Sequence, residues 1–238
     1  MKIDADAAAL LAAIPDTPRH VEARSCLIAG TADLLYWQDQ PFAYALINRN
    51  TGTLFVHGAP RDEVILEWAK DAAKLEMELV GDEAHAGALK ALLPGWEYYP
   101  AILFRLAGAV AAPGEGETVW LSLNDIRTVK MPEVVRDEIL VGAVDGRVAC
   151  SLEKGRPVSF CYAGAITEAL FDIGIDTLAG FRRKGHARRA AALMISDMSA
   201  RGLAPVWGAV EENIASIRVA EKLGFEPVDS CNVFALPD

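Results

Sequence analysis

The chain has 238 residues, a formal net charge of -10 and an apolar content of 52%. That is enough for one large core or two small ones, and the acidic balance argues against general nucleic-acid binding while suiting a cationic partner. No stretch approaches the ~18 uninterrupted apolar residues of a membrane span. The start, with Lys2 followed by Asp4 and Asp6, lacks the basic leader and long apolar run of a signal peptide, so a soluble cytoplasmic protein is expected.

In chain order, Phe42 to Ile47 and Thr53 to His57 are β-rich runs joined by Asn50-Thr51-Gly52, a hairpin signal. Arg61 to Lys74 places Val64, Ile65, Trp68 and Ala72 at helical spacing. A strand near Met77 to Val80, a helix from Asp82 to Leu93 stopped by Pro94-Gly95, and a strand from Tyr98 to Leu106 follow. Gly108 to Thr118 has the small, turn-forming composition of a linker. The chain is therefore divided into an N-terminal α/β domain over 1–128 and a second domain over 129–238.

The second domain begins with a helix after Met131-Pro132 and strands at Gly146 to Ser151 and Pro157 to Ala163. A strand from Leu170 to Leu178 leads into a helix from Lys184 to Arg201. Then come a strand from Pro205 to Val210, a helix from Asn213 to Leu223 closed by Gly224, and final strands from Phe225 to Leu236. This order predicts a mixed sheet with helices on its faces. Thr53 to Leu106 repeats the order strand, helix, strand, helix, strand, and GDEAHAGALKALLPGW from Gly81 aligns loosely with AVEENIASIRVAEKLGF from Ala209. Either the first half is a degenerate copy of the second, or the order is coincidental.

Cys26, Cys150, Cys161 and Cys231 lack metal or disulfide spacing and read as small hydrophobes. His20, His57 and His85 read as isolated structural residues, and no metal is expected. Trp207, on a strand facing the proposed cleft, is a candidate site wall.

The chemistry concentrates at Phe181-Arg182-Arg183-Lys184-Gly185-His186-Ala187, between a predicted strand and a predicted helix. Free N–H groups at a helix start bind phosphate oxygens. Gly185 permits close backbone approach, Ala187 keeps the next position small, and Arg182, Arg183, Lys184, Arg188 and Arg189 supply positive charge. This is a pyrophosphate site in physical terms, and it is neither a P-loop nor GxGxxG. Upstream, Phe171, Ile173 and Ile175 alternate with Asp172, Gly174 and Asp176, so Gly174 is expected to leave a bare backbone patch on the ligand side. Downstream stands ENIASIRVAEKLGF from Glu212, with Asn213 as N-cap and Gly224 as helix terminator.

R-x-x-G-x-A at Arg182, Gly185 and Ala187 resembles motif A of the GNAT superfamily of N-acyltransferases, and the Asn213 to Phe225 segment resembles its motif B. The resemblance covers Met131 to Asp238. The wording IGIDT, RRKGHA and ASIRVAEKLGF is similar to the zwittermicin-resistance-like branch. It implies a GNAT fold behind a smaller α/β domain, possession of acetyl-CoA as cosubstrate, and pantetheine pairing along Ile175, Asp176, Thr177 and Leu178. It also implies a pyrophosphate site at Arg182, Arg183, Lys184, Gly185, His186 and Ala187, with Asn213 and Ser216 contributing; His186 would act through its backbone N–H.

The resemblance also implies direct attack of an amine on the thioester, with a carboxylate as base and backbone N–H groups stabilising the oxyanion. Asp172 is preferred as base and Glu211 is second. The motif B tyrosine that protonates the thiolate in many relatives is replaced by Ala220. Solvent, Tyr162, Ser216 or Cys231 would then serve, or catalysis is vestigial. The expectation is a monomeric or homodimeric acetyltransferase acting on the primary amine of a small molecule or peptide, with the N-terminal domain shaping the acceptor pocket. A non-catalytic acyl-CoA-binding sensor or interaction module is the alternative. The net acidity opposes reading RRKGHARR as a nucleic-acid patch.

Overall fold

Helices form where the 3.6-residue apolar period is cleanest and strands where β-branched and aromatic residues alternate. The computed structural model describes residues 7–75, 77–110 and 116–237; the centre of the expected linker, 111–115, lies outside them. Two compact units result: Met1–Leu103 with Ala209–Asn213 and Asp229–Asp238, and Phe104–Gly208 with Ile214–Val228. Both units are discontinuous in sequence, which the linear division at 128/129 does not express. No helix among the described residues is long and apolar enough to cross a membrane.

The first unit contains α1 (Ala7–Ala13), α2 (Val21–Ile28), β1 (Ala32–Gln38), β2 (Ala43–Asn48), β3 (Leu54–His57), α3 (Asp62–Leu75), β4 (Leu79–Asp82), α4 (Ala86–Leu92) and most of β5 (Glu97–Leu106). β1, β2 and β3 are antiparallel, whereas β3 and β4 are parallel over three pairs, Leu54↔Leu79 to Val56↔Gly81. One face is filled by Trp68, Leu79, Leu89 and Phe234, the other by Leu10, Ile14, Tyr44 and Phe55.

Three histidines that look isolated in sequence converge here. His57 Nδ1 lies 3.0 Å from Asp82 Oδ1, His85 Nδ1 is 3.8 Å from Asp82, and the His20 ring, bonded to Tyr44 Oη at 2.8 Å, stands 4.7 Å from that of His57. Arg19 binds both Asp82 and Asp229. Burial raises the cost of the Asp82 charge, but bonds from His57 and the Gly58 N–H, with the His57 and Arg19 charges, outweigh it and lower the carboxyl from 3.8 to about 2. The stabilisation is present above the unfolded value near 4, is lost as pH falls through about 2, and amounts to roughly 2 kcal/mol. Asp82→Ala leaves Arg19 and His57 without their shared partner and is expected to cost roughly 3 kcal/mol at pH 7. Denaturant unfolding checks this: the deficit against wild type should shrink between about pH 4 and 2, and a deficit independent of pH would refute it.

The second unit contains β6 (Thr118–Ser122), α5 (Leu123–Thr128), α6 (Glu133–Gly142), β7 (Arg147–Glu153), β8 (Arg156–Ile166), β9 (Leu170–Thr177), α7 (His186–Ala200), most of β10 (Ala204–Val210), α8 (Ile214–Leu223) and the start of β11 (Phe225–Ala235). β6 to β9 form an antiparallel meander, and β9 pairs with β10 in parallel. Ser122 and Asp125 exchange capping bonds that start α5. α5 and α6 cover Val148, Cys150, Phe160 and Tyr162, and α7 buries Ala190, Ala191, Met194, Ile195 and Met198.

Candidate active site

The parallel pair β9/β10 is short. It runs from Leu170↔Ala204 to Asp172↔Val206, and among the described residues Ile173 to Thr177 have no strand partner on that side. On the other side β9 remains in register with β8 to Ser159↔Thr177, with an irregularity at Gly164. The Leu178 N–H donates to Val158 O at 3.0 Å. Bonded and non-bonded pairs alternate along an antiparallel ladder, so Gly174 and Asp176 direct backbone groups to β8. Ile173, Ile175 and Thr177 direct theirs to the opposite, unpaired edge. One of these groups, Thr177 O, accepts from Arg182 Nε at 3.1 Å.

The face of β9 toward α6 carries Asp172, Gly174 and Asp176. The expected bare patch at Gly174 is occupied. A Cβ there would lie 2.2 Å from Tyr162 Cε2, and one at Gly142 of α6 would lie 2.7 Å from the same atom. Glycine is needed at both positions because the Tyr162 ring is wedged between strand and helix. Tyr162 Oη donates to Asp176 Oδ2 at 3.4 Å. Burial and the nearby Glu138 charge push the Asp176 carboxyl up to about 6, against the opposing Tyr162 bond and Arg182 charge. Burial pushes Asp172 further, to about 7, with the Ile173 N–H pulling the other way. A Cβ built on Gly164 lies 3.3 Å from Asp172 Oδ2. Asp172 therefore sits at the last paired residue before the strands part, with a carboxyl poised to exchange a proton near neutrality.

Beyond β9 the chain makes a 3₁₀ turn at Ala179–Phe181 and enters α7 through a tight loop. Arg183 has φ +64 and Gly185 φ +79 with ψ 4, while Arg182 is extended at φ -64. The left-handed backbone at Arg183 and Gly185 folds the loop tightly immediately before α7. Gly185 caps α7 without a side-chain cap, so the first-turn N–H groups of His186 and Ala187 have no intrahelical acceptor. Arg182, Arg183 and Lys184 are exposed. The local cations are not equivalent, however. Lys184 is paired with Glu153 at 3.2 Å, and Arg189 turns inward to Ser151 Oγ at 3.1 Å and His186 Nδ1 at 2.8 Å. The His186 ring is buried, leaving its backbone N–H as the group on the loop.

The remaining sequence candidates fall in different settings. Glu211 and Asn213 are exposed residues of the first unit, their N–H groups bonded to Pro100 O at 2.8 Å and Val210 O at 2.9 Å. Ser216 Oγ accepts from Trp207 Nε1 at 2.9 Å. Trp207, expected to line a site, is 1% exposed and packs edge-on against Phe225, so it is core. Ala220 is fully buried. Cys231 lines a small cavity of about 10 Å³ in the first unit with Arg19, Tyr44, Val56 and Asp82, and burial raises its thiol to about 12.

Against this geometry, comparison with known proteins is decisive for one segment. Residues 143–234 match the GNAT acetyltransferase family model. The GNAT segment runs from just after α6 into β11 and includes the parted strands, the loop before α7, and α8. A solved GCN5-related N-acetyltransferase-like protein from Streptococcus suis 89/1591 is similar at 22% identity and TM-score 0.72, over 97% of this chain and 96% of that one. A GNAT-family protein from Novosphingobium aromaticivorans DSM 12444, described as a putative acetyltransferase, gives 18% and 0.62, over 92% of this chain and 98% of that one. A GNAT-family acetyltransferase from Colwellia psychrerythraea gives 10% and 0.57, over 96% and 94%. These likenesses establish a common fold that includes the N-terminal unit as well as the GNAT segment. No curated protein matches the chain.

In the first unit the end of the parallel pair β3/β4 is closed. After the three β3/β4 pairs, Asp82 of β4 binds back to His57 and to the Gly58 N–H at 2.9 Å. A carboxylate stitches the strands together where the β9 edge is open.

Proposed function

We propose that this protein transfers an acetyl group from acetyl-CoA to a primary amine of a small molecule or peptide, in the cytoplasm, as a monomer or homodimer and without a metal. The observation that carries the reading is the coincidence, within one GNAT segment, of an unpaired β9 edge and an αL-capped helix start reached directly from that edge. The edge groups of Ile175 and Thr177 suit the amides of pantetheine, with Asp176 and Leu178 holding the strand to β8. The N–H groups from Arg183 to Ala187 and the Arg182 and Arg183 charges suit the pyrophosphate. Within the same unit, Ser216 completes the cofactor set in this reading. The wording of the three motif segments supports placement near the zwittermicin-resistance-like branch.

Transfer needs a neutral amine. Asp172, raised to about 7, takes the ammonium proton directly or through water, and the amine lone pair attacks the thioester carbon. N–H groups along the β9 edge stabilise the oxyanion. The C–S bond breaks as the attacking nitrogen releases its second proton to solvent, and the departing thiolate, the anion of a thiol that is only weakly acidic, takes up a proton from solvent. Glu211 is the second candidate base. Tyr162 Oη donates to Asp176, and Ser216 Oγ accepts from Trp207 Nε1.

The N-terminal unit we read as a degenerate GNAT-like copy, leaving the chemistry to the portion from 129 onward. The order α1-α2-β1-β2-β3-α3-β4-α4-β5 matches α5-α6-β7-β8-β9-α7-β10-α8-β11, and β3/β4 and β9/β10 each run three pairs. The second reading of the whole chain, a non-catalytic acyl-CoA sensor, is favoured by Ala220.

Calorimetric titration with acetyl-CoA and then CoA is expected to give micromolar binding at one site per chain, followed by thiol release over a panel of amines. Binding without turnover on any amine would select the sensor reading. No binding of either ligand would remove both.

A further inference from the structure

Beneath the loop lies a polar network that the transfer chemistry does not use. Ser151 of β7 is fully buried and lies 2.9 Å from His186 Nδ1, and Arg189 reaches both groups. On the other side of the ring, His186 Nε2 is 2.8 Å from Glu153 Oε2, and Lys184 Nζ is 3.2 Å from Glu153 Oε1. Arg189 also donates to Lys184 O at 3.4 Å. Because a guanidinium only donates, Nδ1 is an acceptor and the ring proton sits on Nε2, pointed at Glu153. The side chains flanking Gly185 on both sequence sides are thus tied to the end of one strand. The loop they tie holds a non-glycine residue, Arg183, at φ +64, a conformation that persists only where its surroundings enforce it. Gly116 lies against the same guanidinium, since a Cβ there would be 2.6 Å from Arg189 Nε.

We infer that Glu153, His186, Ser151 and Arg189 are positioning residues that hold the Arg183–Gly185 turn in its anion-binding form, so that affinity for the CoA pyrophosphate is set from β7. This rests on the proposed CoA site. Glu153 touches no ligand in this scheme; it acts through the His186 ring. The scheme has a counterintuitive consequence. Glu153 is an acid beside a phosphate site, and by charge alone its removal should free Lys184 and tighten binding. Positioning predicts the opposite.

The test is CoA calorimetry on wild type, Glu153→Ala, Glu153→Gln and Ser151→Ala. Loss of a charge-assisted bond within the anchor is expected to weaken CoA binding about tenfold or more in Glu153→Ala. Stoichiometry should stay near one per chain, which separates a displaced loop from a partly unfolded sample. Glu153→Gln keeps an acceptor for Nε2–H without the charge and should return to within about threefold of wild type. Ser151→Ala, reached from the opposite end of the network, should weaken binding in the same direction. Unchanged or tighter binding in Glu153→Ala, or a glutamine variant as weak as alanine, overturns the inference while leaving the CoA site standing. Wild type that fails to bind CoA overturns the site itself and this inference with it.

Discussion

Gly185→Glu is expected to abolish CoA binding. The backbone at Gly185 has φ +79, where an L side chain costs about 1–2 kcal/mol, and its Cβ would meet Arg189 Nη1 at 3.2 Å. The larger effect is charge. A carboxylate about 4 Å from a phosphate costs about 4 kcal/mol at a surface dielectric near 20, or roughly a thousandfold in affinity. Gly185→Ala carries the strain without the charge and should weaken binding by no more than about thirtyfold. Calorimetry on the two variants, with thermal melts to confirm folding, checks both. Affinity in Gly185→Glu equal to that of Gly185→Ala would place the phosphates elsewhere.

Asp172→Asn is expected to lower turnover about 10²–10⁴-fold, the range for losing a general base, with CoA affinity within about twofold of wild type. In wild type, kcat/KM should rise with pH through about 7, where the Asp172 carboxyl gives up its proton, and the asparagine variant should lose that limb. A retained limb would transfer the role to Glu211 or to solvent. Stability provides an independent check, and its sign is opposite to that at Asp82. The folded Asp172 carboxyl titrates above its unfolded value of 3.8, so the folded protein binds the extra proton and stability falls as pH rises through that interval. Asparagine removes the desolvated charge, and the variant should be more stable than wild type above pH 7.

Much of the second unit was legible because its signals are local. The alternation from Leu170 to Thr177, the helix ended by Gly224 and the RRKGHA loop each depend on residues within a few positions of one another. The fold class and the placement of Gly185 at a helix start followed from these alone. The first helices, β1, β6 and α5 were not anticipated, although Ser122-Leu123-Asn124-Asp125 carries a capping pattern that could have marked α5. α2 shows almost no amphipathic periodicity in Val21 to Ile28, so pattern reading had nothing to work with.

Side-chain destinations were the other gap. Gly174 reads as open backbone until the Tyr162 ring, from a neighbouring strand, is found on it. Trp207 is core because Ser216 and Phe225 meet it. His20, His57 and His85 are far apart in sequence and gather around Asp82 and Tyr44 only when β2, β3 and β4 align. Lys184 and Arg189 look like free phosphate ligands in the string RRKGHARR and are drawn to Glu153 and Ser151 of β7, more than thirty residues earlier. The sequence by itself determined the period of each strand and helix, the turn chemistry at Gly185 and the supply of charge, since these are properties of short segments. Tertiary structure alone decided which carboxylate is buried, which strand edge is unpaired and which cation is occupied, because burial and pairing arise from elements distant in the chain.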